Sequence, residues 1–89
     1  MTNKERFLRL SALNRKMRRS SLSLREVRER ERLRRIIRRK IAGVYNDYAK
    51  YCLTCRYMEG MMWDDIADTL GHNTSDAVRK IAERTIARM

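Results

Sequence analysis

Proline is absent from the chain, and glycine occurs only at Gly43, Gly60 and Gly71. These two residues make most tight turns, so a chain almost without them cannot reverse direction often. That disfavours a turn-dense β-sandwich and excludes collagen-like and proline-rich classes. Ala, Leu, Arg, Met, Lys and Glu dominate instead, and they lose least on entering a helix. The expected fold class is all-α, a small helical bundle. With 89 residues there is room for one small domain. A TIM barrel or a full dinucleotide-binding domain does not fit.

Local signals divide the chain into five helices. Thr2 and Glu5 form a capping box, and Phe7, Leu10, Leu13 and Met17 then recur at steps of three and four, which predicts a helix over 4–19. Ser20, Ser21 and Ser23 break it, because serine competes for its own backbone groups. Ser23 and Glu26 form a second capping box, opening a helix over 24–42. In it Glu26–Arg30 and Glu31–Arg35 have the favourable i,i+4 spacing, acid first. Leu33, Ile36, Ile37, Ile41, Val44 and Tyr45 give it a face to dock. Gly43 and Asn46-Asp47 mark a bend or restart, with Asp47 capping a helix over 48–58. There Tyr48, Tyr51, Cys52, Leu53, Cys55, Tyr57 and Met58 are apolar, and Gly60 ends it. A short helix over 63–70 buries Ile66, Ala67 and Leu70, with Asp64 and Asp65 at its electropositive start. Gly71 closes it, Asn73 caps the next, and a last helix over 74–88 turns Val78, Ile81, Ala82, Thr85 and Ile86 inward.

Charge is unevenly placed. Residues 1–42 hold sixteen Lys and Arg against four Asp and Glu, whereas residues 43–89 hold six against seven. The whole excess, formally +11, therefore lies in the first half. The expectation is a basic, partly extended helical arm over 1–42 and a near-neutral domain over 43–89. Sixteen cations repel one another without counter-charge, and nucleic-acid phosphate supplies it. Arg28, Arg32, Arg34, Arg35, Arg38, Arg39 and Lys40 are the candidate phosphate-binding residues. A merely solvated face, a membrane surface or an acidic protein are the competing explanations.

Two helices joined by a tight glycine-containing turn, the second amphipathic and partly basic, match the helix-turn-helix pattern. Ala67 is the small residue that lets the helices cross closely. Gly71-His72-Asn73 can reverse the chain, and Arg79 and Lys80 are donors for base edges or phosphate. The stretch Arg56-Tyr57-Met58-Glu59-Gly60-Met61-Met62-Trp63-Asp64-Asp65-Ile66-Ala67-Asp68-Thr69-Leu70-Gly71, followed by Val78-Arg79-Lys80-Ile81, resembles region four of bacterial sigma factors. Within that family it is similar to the short sigma-like regulators encoded by phages and prophages. The likeness spans about residues 48–88. It implies a last helix that enters the DNA major groove, with Arg79 and Lys80 facing the groove, and for some members a contact with RNA polymerase. The candidate DNA-contacting set is Thr74, Ser75, Asp76, Arg79, Lys80, Glu83 and Arg84. Two departures stand out. Met62 occupies the place of a Ser or Thr cap, a loss of about 1 kcal/mol. Glu59, Asp64, Asp65 and Asp68 make the unit unusually acidic, which repels phosphate or presents an acidic face to a basic partner.

The remaining chemistry-bearing residues have plain readings. Cys52 and Cys55 form C-x-x-C, but zinc takes about four ligands and only His72 offers a third. Thioredoxin-like chemistry needs a βαβ setting. Both cysteines read as small buried hydrophobes, and His72 as a turn residue; no metal or cofactor is expected. Trp63 reads as core and not as a base-stacking platform. Tyr45, Tyr48, Tyr51 and Tyr57 read as helix packing more than as an RNA-stacking series. Met58, Met61 and Met62 fill gaps or offer an adaptable surface. No nucleophile–base pair, paired carboxylates or phosphate loop is present, so an enzyme is not expected.

The leading expectation is a phage or prophage DNA-binding regulator of transcription. Alternatives are a protein module for RNA polymerase or another phage target, and an RNA- or ribonucleoprotein-binding inhibitor of a host defence. A homodimer through Ile36, Ile37, Ile41 and Val44 fits so small a core. No stretch reaches the roughly 20 apolar residues of a membrane span, and the N-terminus lacks a secretory signal's apolar run, though its Arg and Ser resemble a transit peptide. The expected location is the bacterial host cytoplasm or nucleoid, where both cysteines stay reduced.

Overall fold

The first two helices begin where their capping boxes place them. The computed structural model describes residues 1–71 and 73–89. In it the Glu5 amide donates to the Thr2 hydroxyl at 3.1 Å, and the Thr2 amide donates back to the Glu5 carboxylate at 3.0 Å. Helix α1 (Asn3–Arg19) follows. Ser23 and Glu26 repeat the exchange at 3.2 and 3.0 Å, and α2 (Leu24–Ala42) follows. After a short bend come α3 (Asp47–Leu53), α4 (Trp63–Leu70) and α5 (Ser75–Ala87). Among the described residues every regular element is helical, so the chain is all-α.

Helix α3 does not stop at Leu53. It widens into a π-helical segment, Thr54–Met58, before Glu59 ends it. Here the Thr54 hydroxyl donates to the Lys50 carbonyl at 2.8 Å. Such back-bonding competes with the regular ladder and bends helices. Gly60 then turns the chain at φ 72°, a left-handed conformation that glycine adopts without a Cβ penalty.

The combined α3–π rod is central, and it is apolar around most of its circumference, as a buried helix must be. One side carries Leu53 and Tyr57 into a cluster with Phe7, Leu10 and Leu13 of α1, Leu33, Ile37 and Ile41 of α2, and Ala82 and Ile86 of α5. The other carries Cys52 and Cys55 into a second cluster with Ile66, Ala67 and Val78. Half-buried Trp63 packs against both. Phe7, Tyr57 and Trp63 meet edge to face, with ring centroids 4.8 and 6.4 Å apart.

Several expectations change. The basic half does not hang free, because Phe7, Leu10 and Ile37 are fully buried in the larger cluster. The radius of gyration, 12.8 Å, is close to the roughly 12 Å of a compact chain this long. Met17 is exposed because it lies one turn beyond Asn14, the last buried residue of α1. Tyr45 stands fully in solvent and does not pack as predicted, and Tyr51, 41% exposed, packs only in part. Asn46, not Asp47, caps α3, accepting from the Ala49 amide at 3.0 Å. Thr74, not Asn73, caps α5, accepting from the Ala77 amide at 3.1 Å. Ile37 and Ile41, two of the four residues offered for a homodimer, are used up in the chain's own core. His72, and with it the predicted turn and third zinc ligand, lies outside the described residues.

Candidate nucleic-acid interface

Helix α2 carries the strongest concentration of charge. Its inner face is Leu33, Ile37 and Ile41. Arg25, Arg28, Arg32, Arg35 and Arg39 recur at steps of three and four, and all five are exposed. At 3.6 residues per turn they span an arc of about 80° opposite the buried face, and a ridge about 21 Å long. Arg38 lies beside it, also exposed. Of the predicted phosphate-binding residues, Arg28, Arg32, Arg35, Arg38 and Arg39 are thus available on the surface. Arg34 is not, because its Nη1 donates to the Met58 carbonyl at 2.6 Å. Lys40 is half-buried beside the bend after α2. Arg25 was not anticipated, although its seven-residue spacing from Arg32 and Arg39 marks it in the sequence.

The ridge keeps most of its charge because the acids of α2 bond elsewhere, although Glu29 lies near enough to Arg32 to feel its charge. Glu29 accepts from Arg9 of α1 at 2.8 and 3.0 Å. Glu26 accepts from Lys16 of α1 at 2.8 and 2.9 Å. Glu31 faces Arg30 at 3.6 Å. The expected i,i+4 pairs Glu26–Arg30 and Glu31–Arg35 therefore give way. Helix α1 lies alongside and presents its own cations, while Arg30 turns inward to Asn14 at 2.8 Å. The Lys16 ammonium and then the Ser23 amide hold the Glu26 carboxyl down at about 2. Arg9 lowers Glu29 in the same way.

The outer face of α5 is different. Thr74, Asp76, Arg79, Lys80, Glu83 and Arg84 are exposed, and Ser75 is half-buried. Arg79 pairs with Asp76 and, at 3.1 Å, with Glu83; Lys80 reaches Asp76 at 3.1 Å. The two cations expected to face a groove are open to solvent but already paired along their own helix. Asp76 is lowered by Arg79 first and Lys80 second. Helix α4 exposes Asp64, Asp65 and Asp68. Its N-cap, Met62, makes no side-chain capping bond. Helices α4 and α5 meet through Ile66, Ala67 and Val78, with Gly71 at φ 81° ending α4.

Cys52 and Cys55 are buried, free thiols, raised above their ordinary range by burial. Among the described residues no three of His, Cys, Asp and Glu gather where a metal ion could be held, and no helix is long and apolar enough to cross a membrane. No family model, no curated protein and no solved structure matches the chain.

Proposed function

We propose that the protein binds duplex DNA as a transcriptional regulator, with α2 gripping phosphate and α5 reading the major groove. The carrying observation is the exposed ridge of Arg25, Arg28, Arg32, Arg35 and Arg39, whose neighbouring carboxylates, Glu29 among them, are engaged by Arg9, Lys16 and Arg30. Guanidinium groups meet phosphate oxygens with two parallel donors, and released counterions drive the association. A ridge of about 21 Å spans roughly six phosphates of one strand at 3.4 Å each.

In this reading α4, Gly71 and α5 form a helix-turn-helix of the sigma region-four kind, in a phage or prophage regulator. Its support is the close packing of Ile66 and Ala67 on Val78 and the exposure of Arg79 and Lys80. Asp76 and Glu83 release those cations to guanine or phosphate on docking, at the expense of three surface ion pairs worth little each. Selection from random duplex DNA with the full-length chain tests the reading. An enriched motif is expected, with Arg79→Ala weakening it by about 1–3 kcal/mol at one position. Recovery of no motif removes sequence-specific regulation.

A second reading rests on the exposed Asp64, Asp65 and Asp68 of α4 and the self-paired face of α5. There the same two helices dock an RNA polymerase surface or another basic protein. Pull-down after nuclease treatment separates the two, since a DNA bridge does not survive it. Comparing duplex DNA with structured RNA at matched salt decides which nucleic acid the ridge prefers.

A further inference from the structure

Where α1, the π-helical segment and α4 meet, the fold leaves a cavity of about 320 Å³. Arg15, Arg18 and Arg19, at i, i+3 and i+4 near the end of α1, line one side, and Arg56 lines the other. No carboxylate lines it among the described residues. Arg56 is held in place. Its Nη1 donates to the Met61 carbonyl and its Nη2 to the Ser11 hydroxyl, both at 3.1 Å, and its guanidinium lies 4.7 Å from the centre of the Trp63 ring. Its Nε–H is buried without an acceptor. Burial, and with it the charges of Arg15 and Arg18, pushes the Arg56 guanidinium below its ordinary range. Arg18 reaches across to the Met62 sulfur at 2.9 Å.

Such a corner attracts an anion. Buried donors want acceptors, and converging like charges want a counter-charge. We propose that this cavity binds a polyphosphate group, of the kind carried by a nucleoside triphosphate. Four guanidinium groups match the charge of a triphosphate, whereas a strand offers one charge per backbone phosphate. The site shares no residue with the α2 ridge and goes beyond the reading of that ridge.

Trp63 is the chain's only tryptophan and carries Arg56 on its ring, so its fluorescence reports the cavity directly. The full-length protein is titrated at physiological salt with inorganic triphosphate, with ATP, and with a blunt duplex lacking terminal phosphates. A saturable change with both triphosphates is expected. It weakens about tenfold or more in Arg15→Gln/Arg18→Gln and is unaffected in Arg28→Gln/Arg35→Gln. Arg15 and Arg18 are exposed, so circular dichroism is expected to show an intact fold. Should the double variant unfold, Arg18→Gln alone carries the same comparison, with a smaller loss expected. No saturable change with either triphosphate overturns the assignment, as does equal binding by cavity and ridge variants. An Arg15- and Arg18-dependent change given by the duplex alone overturns it in favour of strand phosphate.

Discussion

Asn14 is the one buried polar side chain among the described residues. Its amide donates to the Tyr57 carbonyl at 3.2 Å, and its carbonyl accepts from Arg30 Nε at 2.8 Å. The end of a helix leaves carbonyls without partners, and the end of the π-helical segment meets two side-chain donors, Asn14 at Tyr57 and Arg34 at Met58, while Arg56 bonds the Met61 carbonyl in the loop that follows. Both partners of Asn14 are largely withdrawn from water, so losing it strands a donor and an acceptor. Asn14→Ala is expected to cost about 1–3 kcal/mol, read by urea unfolding. Asn14→Asp keeps an acceptor for Arg30 but cannot donate to Tyr57, and is expected to fall between wild type and alanine. A loss equal to that of an exposed asparagine, near zero, contradicts this role. The sequence holds a partial sign of it. Phe7 and Asn14 are seven residues apart on one helical face, yet a polar side chain inside an apolar stripe does not name its partners. Those lie on α2 and on the π-helical segment, sixteen and forty-three positions away.

At the scale of an element, what is local was legible and what depends on neighbours was not. Both capping boxes set their helices because donor and acceptor sit three residues apart. Adjacent candidates such as Asn46-Asp47 and Asn73-Thr74 are decided by how the chain enters the helix, which composition does not record. The π-helical widening at Thr54 lacks a sequence signature of that kind. The i,i+4 ion pairs expected in α2 do not form for the same reason: that spacing is local, whereas Arg9 and Lys16 arrive from α1. These bridges tie α1 to α2, and Glu26 gives a clean test. Its carboxyl falls from the ordinary 4.5 to about 2, first through Lys16 and then through the Ser23 amide. A carboxyl lowered on folding stabilises above its unfolded value and loses that contribution as pH falls through the folded one. The melting temperature is therefore expected to drop between pH 4.5 and about 2, and Glu26→Gln is expected to flatten that part of the curve. An unchanged slope in the variant assigns the acid sensitivity to Glu5, Glu29 or Asp76, which are lowered too.

For the whole molecule, the sequence located the positive half correctly but not its organisation. Sixteen cations in residues 1–42 read as an arm because charge alone does not reveal that Phe7, Leu10, Leu13, Leu33, Ile37 and Ile41 share a core. Folding sorts twelve of those cations into three uses. Arg9, Lys16, Arg30 and Arg34 bond within the protein. Arg15, Arg18 and Arg19 line the cavity opposite Arg56. Arg25, Arg28, Arg32, Arg35 and Arg39 are left as one outward ridge. This last group sets five exposed cations along one face, so salt dependence of nucleic-acid binding is expected to arise mainly there. Each neutralised phosphate contributes about −0.9 to the slope of log affinity against log salt. Arg28→Gln/Arg32→Gln/Arg35→Gln is then expected to make the slope about 2.7 less negative on any duplex. Arg79→Ala should leave the slope nearly as it was, since that cation is assigned to a base edge, and base contacts specify where phosphate contacts carry the salt dependence. The triple variant removes no buried contact, so its helix content and urea midpoint are expected to match wild type. Fluorescence anisotropy over a salt series reads both slopes. If Arg79→Ala changes the slope as much as the triple substitution does, the duplex lies along α5 alone and the ridge is only a solvated face.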